Sequence, residues 1–410
     1  MVVQRAFRGS PAAPWFAAAV RKQTRHRFER GSSVHIRSTR GAAIAVLTAM
    51  ALIPATLSAA SAAETSTPAS APGVTVGEQA TDPSTARDYW TPSRVKEAVA
   101  NEKQDEIDIA HEAAVAAKAT TGAAKTAHAG EGPRLTAEAP RFLPAGRDAT
   151  GSPAVLAAVP EMAHAEKVPF PQSIPAVIVG KILYVDAAGE SHGCSGASII
   201  ADGKNTVWTA GHCVHPGDGS GADGFHDSVL FIPGYKESAT SPNGYDAPWG
   251  EWVAQTFVAP EAWTQDKDYN EGDLAAFTVK APAGYTNLAD TVGALGYRFG
   301  DGSDWSDIID SGFPGEGYNR TDMDGYTQFF CTGNVVDAAN LNPFDDRLEM
   351  DCDMGGGASG GPMATTEGQI VGANSHVEVD DSGERINDNL YSSNHGSQAV
   401  AVINRINELN

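Results

Sequence analysis

Positive charge is scarce over most of this sequence. From Val168 to the end, ten lysines and arginines face thirty-five aspartates and glutamates, so that stretch stands near −25 in a chain of net charge −22. A phosphate-binding face needs clustered basic side chains, which argues against nucleic acid or an anionic membrane as partner. An acidic body of this kind favours solubility. Cysteine is scarce as well. Cys194, Cys213, Cys331 and Cys352 are the only four, all lie in the acidic part, and none forms a Cys-x-x-Cys pair. Adjacent His212-Cys213 is awkward for tetrahedral ligation, which weighs against a metal site made of Cys194, His212, Cys213 and His215. No internal repeat is visible.

The basic residues gather at the other end. Residues 1–63 carry nine lysines and arginines and one acid, Glu29. Arg37 and Arg40 precede an apolar run over 41–57, and the small residues Ser58-Ala59-Ala60-Ser61-Ala62-Ala63 follow it. Basic flank, apolar run and small-residue exit read as a secretory signal cut near Ala62 or Ala63. Pro54 and that exit disfavour a membrane anchor. The stretch from Val34 already makes a complete signal, so translation is expected to start near it. An exported, extracellular chain with an even cysteine count implies two disulfides. Three pairings exist, and neighbours in chain order, 194 with 213 and 331 with 352, are expected.

Residues 64–170 are rich in Ala, Pro, Thr and charge, with few aromatics and no cysteine. Thr91-Pro92-Ser93-Arg94-Val95 reads as an N-cap and first-turn proline opening a helix to about residue 104, with a second helical stretch over about 106–119. The remainder offers little core and reads as a propeptide or linker, with Tyr89 and Trp90 able to dock on the domain beyond it.

From about residue 171 the texture changes to short apolar runs broken by Gly, Asp, Asn and Pro. Residues 176–184, 197–200, 206–209, 228–232, 252–257, 274–279, 328–335, 348–352 and 369–373 read as strands. Many short strands with turns between them imply an all-β sandwich or closed barrel. Asp301, Asp304, Asp307 and Asp310 read as a solvated loop. Ala399, Val400, Val402, Ile403, Ile406 and Leu409 recur at helical spacing, so the chain ends in an amphipathic helix over 398–410.

The chemistry centres on Gly355-Gly356-Gly357-Ala358-Ser359-Gly360-Gly361-Pro362. Glycines on both sides let the backbone turn sharply, lift the serine hydroxyl out and leave N–H groups to face an oxyanion. A serine hydroxyl needs a base, and His212 in Thr209-Ala210-Gly211-His212-Cys213 is the candidate, in a loop that a Cys194–Cys213 bridge would pin. Asp273, at the mouth of the apolar run over 274–279, is the candidate acid to orient it. Asp266, Asp268, Asn270 and Glu271 compete for that role. Asp266-x-Asp268-x-Asn270 also leaves a structural calcium open, although Glu271 stands where a hand-type loop needs glycine. No other cofactor is expected. Gly357-x-Ser359-x-Gly361 also fits the nucleophile elbow of an esterase, in which Asp380 and His395 would have to serve. Too few residues follow Ser359, and alternating strand–helix units are lacking.

The three motifs resemble the His, Asp and Ser motifs of the chymotrypsin-fold serine peptidases, over about Gly180 to the C-terminus. Gly312-Phe313-Pro314-Gly315, the tract Met350-Asp351-Cys352-Asp353 and the final helix resemble the secreted bacterial V8-like glutamyl endopeptidase branch. The resemblance implies two six-stranded antiparallel β-barrels, over about 171–285 and 286–397, followed by the C-terminal helix. It implies a secreted endopeptidase acting on polypeptides, with His212 as general base and acid, Asp273 as orienter and Ser359 as nucleophile. The N–H groups of Gly357 and Ser359 would form the oxyanion hole. Ala358 stands where trypsin-like zymogens carry an aspartate that pairs with a new N-terminus, so activation would come from removing the propeptide, the expected inhibitor. Glutamyl endopeptidases place a histidine on the strand after the nucleophile to meet the substrate carboxylate. Here Asn374 takes that place, with Ser375 and His376 beside it, while Asp353 matches the acidic floor that selects Lys or Arg. A monomer is expected, free of the membrane once the signal is cut. The other readings are a serine esterase of another fold and a secreted trypsin-like binding protein without turnover.

Overall fold

The computed structural model describes residues 72–119, 133–139, 161–338 and 345–409, so the leader and signal over 1–63 lie outside the described residues. The acidic part begins with β4 (Val179–Val185), β5 (Ser191–Ile199), β6 (Thr206–Thr209) and β7 (Asp227–Pro233), then a short ribbon of β8 (Lys236–Glu237) and β9 (Tyr245–Asp246). It continues through β10 (Trp252–Pro260), α3 (Glu261–Thr264), β11 (Ala275–Lys280), α4 (Leu288–Val292), β12 (Gly296–Phe299) and β13 (Trp305–Gly312). It ends with β14 (Phe329–Asp337), β15 (Leu348–Asp351), β16 (Pro362–Thr365), β17 (Gln369–His376), β18 (Asn389–Ser392) and α5 (Ser397–Leu409).

Two rings close. The first runs β10-β11-β6-β5-β4-β7 and shuts where Trp252 and Val253 of β10 pair with Phe231 and Leu230 of β7. The second runs β16-β13-β14-β15-β18-β17 and shuts where Pro362 of β16 pairs with Ala373 of β17. Closure removes the edges that short strands would otherwise expose. The architecture is chymotrypsin-like: two six-stranded antiparallel barrels with a C-terminal helix. Helix α5 packs on β10 and β11 and buries Ala399, Val400, Val402, Ile403 and Ile406 of the stripe its spacing predicts, whereas Leu409 in its last turn is exposed. Both expected disulfides are present, Cys194–Cys213 and Cys331–Cys352.

The loop expected over 301–310 is instead largely strand β13. Its partners β14 and β16 flank it on both sides, and a bulge between Trp305 and Ile308 places Asp307 at φ 58°, breaking the alternation on which strand recognition depends. Asp310 is fully buried rather than solvated.

The segment ahead of the barrels is built into the fold. Strand β1 (Val74–Glu78) extends the first sheet along β10, β2 (Leu135–Ala137) pairs with β12, and β3 (Met162–Lys167) pairs with β14. Helix α1 (Pro83–Tyr89) starts at Asp82, whose side chain accepts the N–H groups of Ser84 and Thr85. Trp90 is buried, with its indole N–H on the carbonyl of Ser228 at 2.8 Å. Where two helical stretches were expected, one unbroken helix α2 runs Pro92–Ala119. Among its described side chains, Val95, Ala98, Glu102, Glu106, Ala110 and Ala113 are the buried positions, three and four apart along one face.

Candidate active site

His212 follows β6 in a tight turn in which the N–H groups of Val214 and His215 both reach the carbonyl of Gly211. The Cys194–Cys213 bridge ties this turn to β5. Gly211 has no room for a side chain, since a Cβ there would meet the Trp263 ring at 2.8 Å. Asp273, just before β11, is fully buried and takes two bonds from the histidine: the backbone N–H at 2.8 Å and Nδ1 at 2.9 Å. This double contact fixes the ring and leaves Nε2 facing away from the carboxylate. Burial pulls the His212 pKa down, but the charge and hydrogen bond of Asp273 outweigh it and hold the value above the ordinary one. Burial pushes Asp273 up, and its bonds with His212 and Ser375 overcome that to leave it below the usual carboxylate value.

Ser359 is buried in the glycine loop between β15 and β16. Gly357 and Gly360 on either side hold φ of 89° and 80°, a region that favours glycine. The loop presses on the first barrel. A Cβ on Gly360 would fall 2.0 Å from Oγ1 of Thr209, and the Ser359 carbonyl accepts the N–H of Ser195 at 2.7 Å. Ser359, Gly357 and His212 line one small cavity. Nε2 of His212, buried, has no hydrogen-bond partner among the described residues, so the structure brings imidazole and serine to one cavity without bonding them.

All four residues expected to read the substrate are buried. Ser375 lies behind Asp273 and donates to its Oδ2. His376 has Nε2 accepting from Arg347 at 2.7 Å and Nδ1 at 2.8 Å from the Ser375 hydroxyl. Because guanidinium only donates, the imidazole proton sits on Nδ1, and the order Arg347 to His376 to Ser375 to Asp273 is a one-way chain of donors. Asp345 anchors Arg347 from behind at 2.7 Å. Burial and the Arg347 charge keep the His376 pKa well below its ordinary value. Asn374 donates to Asp310 at 2.9 Å and to the Ala358 carbonyl at 3.3 Å. The Asp310 carboxyl is pushed up to about 7 by burial. Asp353 forms an ion pair with Arg320 at 2.8 Å, contacts His164 at 2.7 Å and accepts the Ala165 N–H of β3 at 2.8 Å.

Sequence reasoning missed the cleft's occupants. Helix α2 lies across the glycine loop: a Cβ on Gly356 would meet the Glu102 carbonyl oxygen at 2.2 Å. Glu106, one turn on, accepts the N–H of Val377 at 2.8 Å, just past β17. The Glu102 carboxylate contacts Nζ of Lys181, and both side chains are fully buried. Burial pushes Glu102 up to about 8 against the opposing charge of Lys181; burial, aided by the charge of Glu316, lifts Glu106 to about 7. One signal was present: Lys181 is the single charge in the otherwise apolar strand Val179-Gly180-Lys181-Ile182-Leu183-Tyr184-Val185.

The two competing chemistries fail on geometry. Cys194 and Cys213 are bonded to each other and cannot ligate a metal with His212. His395 accepts the Trp208 indole N–H at 2.9 Å and Asp380 is exposed on a turn, within a two-barrel fold that is not an α/β-hydrolase.

Residues 194–372 match the trypsin-like peptidase domain. The matched stretch includes His212, Asp273 and Ser359. No curated protein matches the chain. Among solved structures, the chain is similar to the protease Anisep from Arthrobacter nicotinovorans, at 26% identity over 56% of this chain and 95% of that one, with a TM-score of 0.46. It is similar to the thermostable serine protease AL20 from an extremophilic microorganism at 23% identity, covering 57% and 98%, with a TM-score of 0.47. A Glu endopeptidase in complex with MPD gives 21% identity, covering 60% and 96%, with a TM-score of 0.44. At these scores, the likenesses assign no residue its role. The domain match supports a serine peptidase.

Proposed function

We propose that the chain is a secreted serine endopeptidase held latent by its own N-terminal segment. The observation that carries this reading is the buried His212–Asp273 pair sharing a cavity with Ser359 in the glycine loop of a two-barrel fold. The hydroxyl of Ser359 adds to the scissile carbonyl carbon as Nε2 of His212 takes its proton. The N–H groups of Gly357 and Ser359 receive the oxyanion. His212 then passes the proton to the departing amine as the C–N bond breaks, leaving an acyl-enzyme that water, deprotonated by the same imidazole, hydrolyses. Asp273 steadies the imidazolium between these steps. The chain of donors from Arg347 through His376 and Ser375 keeps that carboxylate ionised and oriented.

Latency arises from α2, whose Glu102 and Glu106 lie over the serine loop and line the cavity of His212 and Ser359. Removal of residues 64–167 would clear it. The finer assignment to the V8-like branch rests on Gly312-Phe313-Pro314-Gly315, the tract ending at Asp353 and the terminal helix. Both oxidised cysteine pairs support export, and among the described residues no helix is long and apolar enough to cross a membrane. The test is reaction with a fluorophosphonate probe before and after limited proteolysis between α2 and β3. Labelling at Ser359 that rises on cutting, together with peptide hydrolysis, is the expected result. An unlabelled serine in the cut chain would favour a binding protein without turnover.

A further inference from the structure

Lys181 sits in a strand buried along its whole length, and no part of its side chain is exposed. Among the described residues its ammonium has two partners, the Glu102 carboxylate and the Phe313 carbonyl at 3.2 Å. One belongs to α2; the other is a single neutral acceptor. A buried ammonium left with one carbonyl is far from satisfied, because three donors and a full charge need partners.

The space around the carboxylate is shaped as well as charged. A Cβ on Gly193, Gly315 or Gly357 would come within 2.4, 2.2 or 2.3 Å of a Glu102 carboxylate oxygen, and one on Gly325 within 2.7 Å. Four positions from three separate segments thus lack the atom that would fill this hole. Oε2 of Glu102 is buried there without a hydrogen-bond partner among the described residues, so the hole is cut to the shape of a carboxylate it does not fully satisfy. Glu106 lies one turn further along, at Val377 past the end of β17. Both acids stand over Gly356; the Glu106 carboxylate turns to the end of β17, and that of Glu102 turns to β4 and β5.

We propose that the Lys181 cradle is a carboxylate subsite of the active enzyme, lying on the leaving-group side of the scissile bond and filled in the latent chain by Glu102. The inference rests on the peptidase reading and on removal of α2. In the mechanism above His212 hands its proton to the departing amine, and the cradle lies on β4 and β5, where the Cys194–Cys213 bridge ties the His212 turn, which puts it on the leaving-group side. A carboxylate can reach it from two sources, an acidic side chain or the free C-terminus of a short leaving peptide.

The full chain, cut by limited proteolysis between α2 and β3 and freed of the released piece, is assayed on matched peptides. One pair differs by Glu or Gln on the leaving-group side, and the other by a free or amidated C-terminus close to the cut. A kcat/KM ratio of at least about tenfold in favour of the acid is expected in one pair, and that pair names the source. The preference should collapse toward one in Lys181→Met and persist in Lys181→Arg. Ratios near one in both pairs overturn the proposal, and so does a preference unmoved by Lys181→Met. The wild-type ratios need no substitution, so a variant that fails to fold does not shield the idea. Cleavage without acid preference sinks this subsite alone, whereas no cleavage and no labelling of Ser359 sink the peptidase reading with it.

Discussion

Oε2 of Glu102 lies 2.3 Å from where a Cβ on Gly357 would stand, so α2 and the serine loop occupy one space that only glycine leaves open. The same position holds φ of 89° and faces the Phe313 carbonyl at 2.7 Å. Gly357→Ala therefore meets both a left-handed backbone and a carbonyl that cannot swing aside. A loss of about 1–3 kcal/mol is expected from the strain, read as a lower denaturation midpoint of the full chain, together with loss of labelling at Ser359. Unchanged stability and labelling would count against the loop geometry.

Asp273→Asn should leave the fold in place, judged by circular dichroism, and lower kcat of the cut chain by roughly 10⁴. The amide would present an N–H where His212 Nδ1 must donate, turning the ring toward the wrong tautomer. Ser359→Ala should abolish labelling outright. Turnover surviving both changes would remove the relay from the mechanism.

Above pH 8, where Glu102 is ionised, Glu102→Gln keeps the shape of the side chain and takes away the charge that Lys181 faces. Removing one partner of a buried ion pair costs about 3 kcal/mol or more, which should loosen α2 and speed labelling of the uncut chain by on the order of a hundredfold. An unchanged rate would mean that Glu102 does not hold the helix down.

Glu106 gives the latch a pH dependence with a definite sign. Docked, its carboxyl is raised to about 7, by burial first and then by the charge of Glu316, against the opposing charges of Arg385 and His212. Freed from the cleft it should return toward 4.5, so the docked helix binds a proton more readily than the free one. Its support for docking is fullest below pH 4.5 and is lost as pH rises through about 7. Labelling of the uncut chain should climb over that window more steeply than labelling of the cut chain, whose slope reports the groups that remain, His212 and Asp310 among them. Glu106→Gln should remove the part of the difference that titrates toward 7 and leave the part that Glu102 carries toward 8; a difference unchanged in that variant would assign the effect elsewhere.

Much of this protein was legible in residue order. Strand β6 lies where the short apolar run placed it, helix α5 buries the expected stripe up to Ile406, and both cysteine pairs join chain neighbours. His212, Asp273 and Ser359 stood out because each sits in a short pattern of glycine, apolar and polar residues. Such patterns express local backbone freedom and the burial of one face, which neighbouring residues determine between themselves.

Tertiary structure alone decided what faces these residues. Asp353 reads in sequence as an open acidic floor, yet Arg320, thirty-three positions away, neutralises it. Asp310 looks solvated in its run of aspartates until β14 and β16 close over it. Lys181 and Glu102 lie seventy-nine positions apart and meet only when α2 crosses the finished cleft. Periodicity marks which side chains turn inward; it carries no record of which distant charge waits for them there, because that is determined by how the closed barrels and the preceding helix dock.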